Sequence, residues 1–266
     1  MEYLLKKALF LLEPEQFPET CGYLKACLAG EKNDSAYEIA GTIIELDKPE
    51  KFPQFLIELV TELYEMAIKE KNDDAMNDLG SLYYDGTRGF EQSFEKAIKY
   101  YTMALRHGNR QAQENMGYCY YYGRNGEDPD YEKAFHYFAL GAFEGAPVSL
   151  YKIGDMYLNS LYVEKNEREA FSIYVHCLRT MTEDSEPRIA GPVYLRLGKM
   201  LADGTGCKKD LKGALISLQK AEWFLTDMVM DGTMMYKKSL EEAIEGQNRV
   251  RNEMAEILPE DFWKYG

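Results

Sequence analysis

Few residues in this chain have the types and spacing that chemistry needs. The loop Asp203-Gly204-Thr205-Gly206-Cys207-Lys208-Lys209-Asp210 carries the glycines and lysines of a phosphate cradle. A P-loop, however, sets its glycines four residues apart ahead of Gly-Lys-Ser/Thr and follows a strand. Here a helix precedes the loop and no Ser or Thr follows the lysines, so it reads as an inter-helix connection. The three histidines, His107, His136 and His176, share no register, and none has a second histidine three or four residues away, as a helical metal site would want. No Gly-x-Ser-x-Gly elbow is present to expose a nucleophile, and Cys119, inside a run of tyrosines, reads as a packed thiol. The expectation is therefore no enzyme, no metal and no cofactor. What stands out is tyrosine, with 21 residues: a large, stiff, amphipathic surface at low entropic cost, suited to gripping a peptide when Asp, Glu and Asn lie among the rings.

Elements must hold those tyrosines, and the elements repeat. Four stretches align: AMNDLGSLYYDG from Ala75, AQENMGYCYYYG from Ala112, SLYKIGDMYLNS from Ser149 and VYLRLGKMLADG from Val193. Each opens on a small or β-branched residue and reaches a glycine at Gly80, Gly117, Gly154 or Gly198. Three further on stands Tyr83, Tyr120, Tyr157 or Leu201, and three beyond that Gly86, Gly123, Ser160 or Gly204. Offsets of three and four put these positions on one face of a helix, here called helix A, which the last residue ends as a C-cap. A second block follows each: EKAIKYYTMA, EKAFHYFALG, REAFSIYVHC and KGALISLQKA. Its small residues sit two turns apart (Ala97 and Ala104, Ala134 and Gly141, Ala170 and Cys177, Ala214 and Ala221), so that this helix B can lie close against helix A. An insertion, Thr182 to Arg188, stretches the last interval.

The flanks carry weaker copies. Ala36, Gly41 and Ile44 keep the helix-A register, and Val60, Tyr64 and Ala67 that of helix B. Cys21 to Leu28 fits a helix B after an opening helix from Glu2 to Leu12. At the far end Leu240, Ala243, Ile244, Gln247, Val250, Met254 and Ile257 mark the stripe of a long helix, with Glu245 and Arg249 at i, i+4 on its wet side. Terminal units of a solenoid need such caps. The expectation is one all-α domain over residues 1–266: degenerate helices at 1–74, four repeats at 75–225 and a capping helix at 226–266. Its architecture would be a right-handed superhelical solenoid of antiparallel helix pairs, about twelve helices in all.

Composition narrows the partners. A formal charge of −14 argues against a phosphate-tracking surface and against an anionic membrane, while permitting a basic protein or peptide. No apolar run nears the length of a membrane span, and the acidic amino terminus makes a poor signal peptide. The five cysteines are odd in number and scattered, which reads as reduced thiols in the cytoplasm, in a bacterial cell.

The four aligned stretches with their second blocks closely resemble the Sel-1-like repeat, a relative of the tetratricopeptide repeat with the pattern A-x-x-x-L-G-x-x-Y-x-x-G, a variable loop, then K-A-x-x-W/Y-Y-x-x-A. Ser160, Leu201 and Leu218 depart from it. The cysteine pairs that bridge helices A and B in some secreted relatives have no counterpart here. The resemblance implies a concave face lined by helix A. By register that face takes Asn77, Ser81, Tyr84 and Asp85 from the first unit, and Glu114, Tyr118, Tyr121 and Tyr122 from the second. Tyr151, Asp155, Leu158 and Asn159 follow from the third, then Leu195, Lys199 and Asp203 from the fourth. The resemblance also implies a non-catalytic scaffold that binds a peptide or partner protein in this tyrosine- and acid-lined groove. The alternative readings are the β-lactamase-like activity described for some relatives, and a homodimer formed through the carboxy-terminal helix.

Overall fold

The computed structural model describes residues 1–124, 126, 128–181 and 187–257. Among the described residues the chain forms thirteen α-helices, one more than expected, and no strand. The helices pack as adjacent pairs, and the chain divides into two compact units, Met1 to Asp130 and Tyr131 onward.

The first unit holds α1 (Glu2–Leu11), α2 (Pro18–Ala29), α3 (Ala36–Glu45), α4 (Gln54–Lys69), α5 (Asp73–Asp85), α6 (Phe94–Arg106) and α7 (Arg110–Tyr121). Their starts follow from side chains that satisfy orphan N–H groups. Ser35 and Glu38 form a capping box on α3, and Asn72, Ser93 and Asn109 each accept from the third residue of α5, α6 and α7. Leu24, Ile43, Leu56, Leu63 and Leu79 form a fully enclosed core. In α3 the buried stripe is Ile39, Ala40 and Ile43, one residue ahead of the expected Gly41 and Ile44. The two isoleucines remove more apolar area from water than a glycine can, and Gly41 faces open space.

The second unit holds α8 (Tyr131–Phe143), α9 (Pro147–Asn159), α10 (Glu167–Thr180), α11 (Pro187–Asp203), α12 (Leu211–Met230) and α13 (Lys237–Ile257). The insertion expected from Thr182 lies, up to residue 186, outside the described residues. On α13 the expected stripe buries Ala243, Gln247 and Val250, while Ile244 and Ile257 are exposed. Arg249 reaches across to Asp203 at 3.0 Å. With Glu242 on Lys199 and Glu253 on Lys209, α13 packs on α11 and α12 as the helix A of a further repeat would.

Within a pair, the helix-A glycine sets the approach. A Cβ built on Gly80 would stand 2.8 Å from the Tyr101 ring, one on Gly154 2.6 Å from the Tyr174 ring, and one on Gly198 2.6 Å from Leu218. All are too short for real carbon contacts. On the other side of the joint, Ala97, Ala104, Ala170, Cys177, Ala214 and Ala221 are fully enclosed. The C-cap positions are left-handed as expected, including Ser160 at φ 56°, where the other units place glycine. Gly154→Ala is expected to cost about 1–3 kcal/mol by overpacking. Gly41→Ala, at the same repeat position but without a ring above it, is expected to be neutral or to gain up to about 1 kcal/mol. Urea melts of the two variants make the comparison.

Candidate protein-interaction surface

In the first unit a polar ladder joins the helix-A elements. Asn115 on α7 donates to the Asn77 side-chain oxygen on α5 at 2.9 Å, Asn77 donates to Asp78 at 3.3 Å, and Asp78 accepts from the Tyr37 hydroxyl of α3 at 3.1 Å. Asn77, expected on the binding face, is therefore buried at 7% exposure and serves as a rung. Burial holds the Asp78 carboxyl above its ordinary value, against the lowering effect of the Tyr37 and Asn77 hydrogen bonds. Ser81 is half-buried: its hydroxyl donates to the Asn77 carbonyl and accepts from Tyr101.

Beyond the ladder the tyrosines gather at the carboxy-terminal ends of these helices. Tyr84 packs edge-on against Phe94 at 5.4 Å and tilts against Tyr101. Tyr122 stacks on Tyr118 at 6.1 Å and takes Tyr121 edge-on at 5.0 Å. The Arg124 guanidinium lies over both the Phe94 and Tyr122 rings. Tyr122 keeps 46% of its surface, Asp85 is exposed, and Glu114, Tyr118 and Tyr121 are half-buried. Phe94 and Arg124 join this cluster without having been expected in it, because both lie outside the helix-A register.

The second unit uses the same register differently. Asp155, expected to face a ligand, is 2% exposed. Its carboxylate accepts from the Tyr174 hydroxyl at 2.6 Å and from two nitrogens of Arg196 at 2.5 and 3.0 Å. Burial first, and the Asp155 charge next, push the Tyr174 phenol far above its ordinary value. Tyr151 is also interior, its ring within 4.7 Å of the Arg196 guanidinium and 4.9 Å of the Lys152 ammonium. Both corrections have one cause: the third residue after the small opening residue of a helix A reaches back to the preceding helix A. That residue is Arg196 here and Asn115 in the first unit. Leu158 is half-buried and Leu195 buried. Lys199 and Asp203 are engaged by α13. Asn159 is exposed, its amide held on the Asp155 carbonyl at 2.8 Å.

Cys119 is fully buried, and burial pushes its thiol up to about 12. His107, His136 and His176 are exposed and dispersed along the chain. Among the described residues no three His, Cys, Asp or Glu side chains group to hold a metal, and no helix is long and apolar enough to cross a membrane.

Glycine-set helix pairs, with left-handed residues ending their first helices, match a known family model. The Sel1 repeat matches residues 73–109, 110–142, 147–174 and 192–222. The chain is a Sel1-repeat protein. Among solved structures it is similar to a Sel1 repeat protein from Oxalobacter formigenes, at 20% identity and a TM-score of 0.59, over 77% of this chain and 73% of that one. It is also similar to c5321, a protective antigen of uropathogenic Escherichia coli strains with an SLR fold, at 17% identity and a TM-score of 0.58. That match takes 95% of this chain but 56% of the antigen. Comparison with curated proteins gave no match. Sel1-repeat proteins are generally scaffolds for protein interactions and typically non-enzymatic.

Two variants test the assignments. Asp155→Ala should cost about 3 kcal/mol or more in urea melts, because it strands Arg196 and the Tyr174 hydroxyl together. Tyr174→Phe, which removes only one hydrogen bond, should cost about 1 kcal/mol. For Asp78 the folded value is raised, so the stability its neutral form contributes is present below the ordinary value of 3.8 and lost as pH rises through the folded value. Asp78→Asn should accordingly raise the melting point at neutral pH, by a margin that closes under acid.

Proposed function

We propose that this Sel1-repeat protein is a non-catalytic adaptor that holds a peptide or a segment of a partner protein on the tyrosine-bearing ends of α5 and α7. The observation that carries the reading is the cluster of Tyr118, Tyr121 and Tyr122. Its rings are prepacked against one another, so little rotamer entropy remains to be lost on binding, yet Tyr122 stays nearly half exposed. Exposed Asp85 and half-buried Glu114 add acidic groups suited to a basic side chain of the bound segment. In the second unit only Asn159 of the expected polar positions remains at the surface without an inter-helix role, so the reading rests on the first unit.

On this non-catalytic reading, nitrocefin should not be turned over. The ion pairs from α13 back to α11 and to the loop after it in the same chain support a cap over a dimerising element. The five cysteines, all free, suit a reducing compartment, and we read that compartment as the cytoplasm. The test is a pull-down from host lysate with wild type and with a Tyr118→Ala, Tyr121→Ala, Tyr122→Ala variant whose helicity and melting are unchanged. A partner captured by wild type and lost by the variant is the expected result. Equal capture by both would move the interaction to another face.

A further inference from the structure

Away from the tyrosines, α10 and the loop that joins α11 to α12 enclose an open cavity of about 840 Å³. Arg168, Phe171, Ser172, Val175, His176 and Arg179 line one side of it. They recur at offsets of three and four, so one face of α10 forms that wall. Gly204, Gly206, Cys207 and Lys208 form the other. The two walls meet at Gly206, whose φ is +68° and where a Cβ would stand 2.2 Å from the Glu167 carbonyl oxygen. Only glycine lets the loop run so close to the first turn of α10.

The lining is cationic in a chain of 45 acidic and 31 basic residues. Arg168, Arg179 and Lys208 are exposed and His176 stands between them, while among the described residues no carboxylate lines the cavity. The acids nearby are committed elsewhere. Glu167 pairs with Lys165 at 2.7 Å, Asp203 with Arg249 at 3.0 Å, and Asp210 caps α12 by accepting from the Gly213 N–H at 3.0 Å. Glu169 follows Arg168 by one residue and so lies off the lining face. Among the described residues Arg168, Arg179 and Lys208 have no ion-pair partner. Between the charges, half-buried Phe171 and Val175 give the groove an apolar floor.

We propose that this groove is a second docking site, for an acidic peptide segment of a partner protein that carries an apolar residue between its carboxylates. Charge complementarity selects the acid, and the floor of Phe171 and Val175 selects a peptide over a bare polyanion. A nucleic acid would need a longer basic track, and its phosphates would meet the net charge of −14 on the rest of the chain. From Arg168 to Arg179 the helix rises about 16 Å, which spans about five residues of extended chain. The site does not depend on the tyrosine face, and either can fail without the other.

The test is fluorescence anisotropy at low salt with a short labelled peptide of alternating Glu and Leu. A Gln/Leu peptide of the same length and an oligo-uridylate serve as competing probes. Wild type should bind the Glu/Leu peptide saturably, more tightly than either other probe, and lose affinity as salt is added. Arg168→Glu with Arg179→Glu should weaken binding by about tenfold or more. Lys7→Glu with Lys25→Glu, the same charge change in the first unit, should leave it within about twofold. Both variants are checked for unchanged melting. Absence of saturable binding, equal weakening by the two variants, or tighter binding of the oligo-uridylate would each overturn the proposal.

Discussion

The contact between a helix-A glycine and the side chain above it on helix B fixes the distance at which each pair can close. At Gly80 and Gly154 the partner is a tyrosine ring, and at Gly198 it is Leu218. The missing Cβ is what lets the ring sit over the backbone, and the enclosed alanines and Cys177 of helix B do the same from the other side. Once the pair is closed, helical phase sets which positions point away from the joint, and the neighbouring helices decide which of those reach solvent. The tyrosine cluster, the polar ladder and the cationic groove all occupy positions left over after that joint is made.

Between pairs, polar links add to the apolar packing that runs from one pair to the next. Asn115 on Asn77, Arg196 on Asp155, and Lys199 on Glu242 each link one helix A to the next, α13 taking that part in the last case. Such links add less to net stability than apolar packing of equal area, since each group gives up water to make them. Their directionality is the gain: a bidentate Arg196 on Asp155 admits one relative placement of α9 and α11, where aliphatic contacts would tolerate several.

Much of this was legible in the sequence. The recurring glycines and the small residues two turns apart gave the helix pairs, their order and their caps, because each depends on a single residue's lack of bulk. The surface was half legible. Register gives a residue's angle about its own helix axis, and Tyr122, Asp85 and Asn159 are exposed at theirs. It does not say what the neighbouring helix brings to that angle. Asp155 and Asn77 point where register puts them, but Arg196 and Asn115 are already there. Lys199 and Asp203 are likewise met by α13, whose pattern resembles no repeat. Arg124 was not legible because it meets rings of other elements, and the cationic face of α10 was legible as a face but not as the wall of a groove, since the loop after α11 supplies the other wall.

The cationic groove gives this acidic molecule two electrostatic characters that act at different ranges. At low ionic strength, where the Debye length is long, an approaching anion first meets the field of the whole chain, which repels it; within contact it meets Arg168, Arg179 and Lys208, which attract it. Added salt weakens both. Capture by such a groove therefore speeds up as ionic strength rises while release speeds up as well, and exchange is fastest where the long-range field is screened, a kinetic signature opposite to that of a protein steered to its partner by charge.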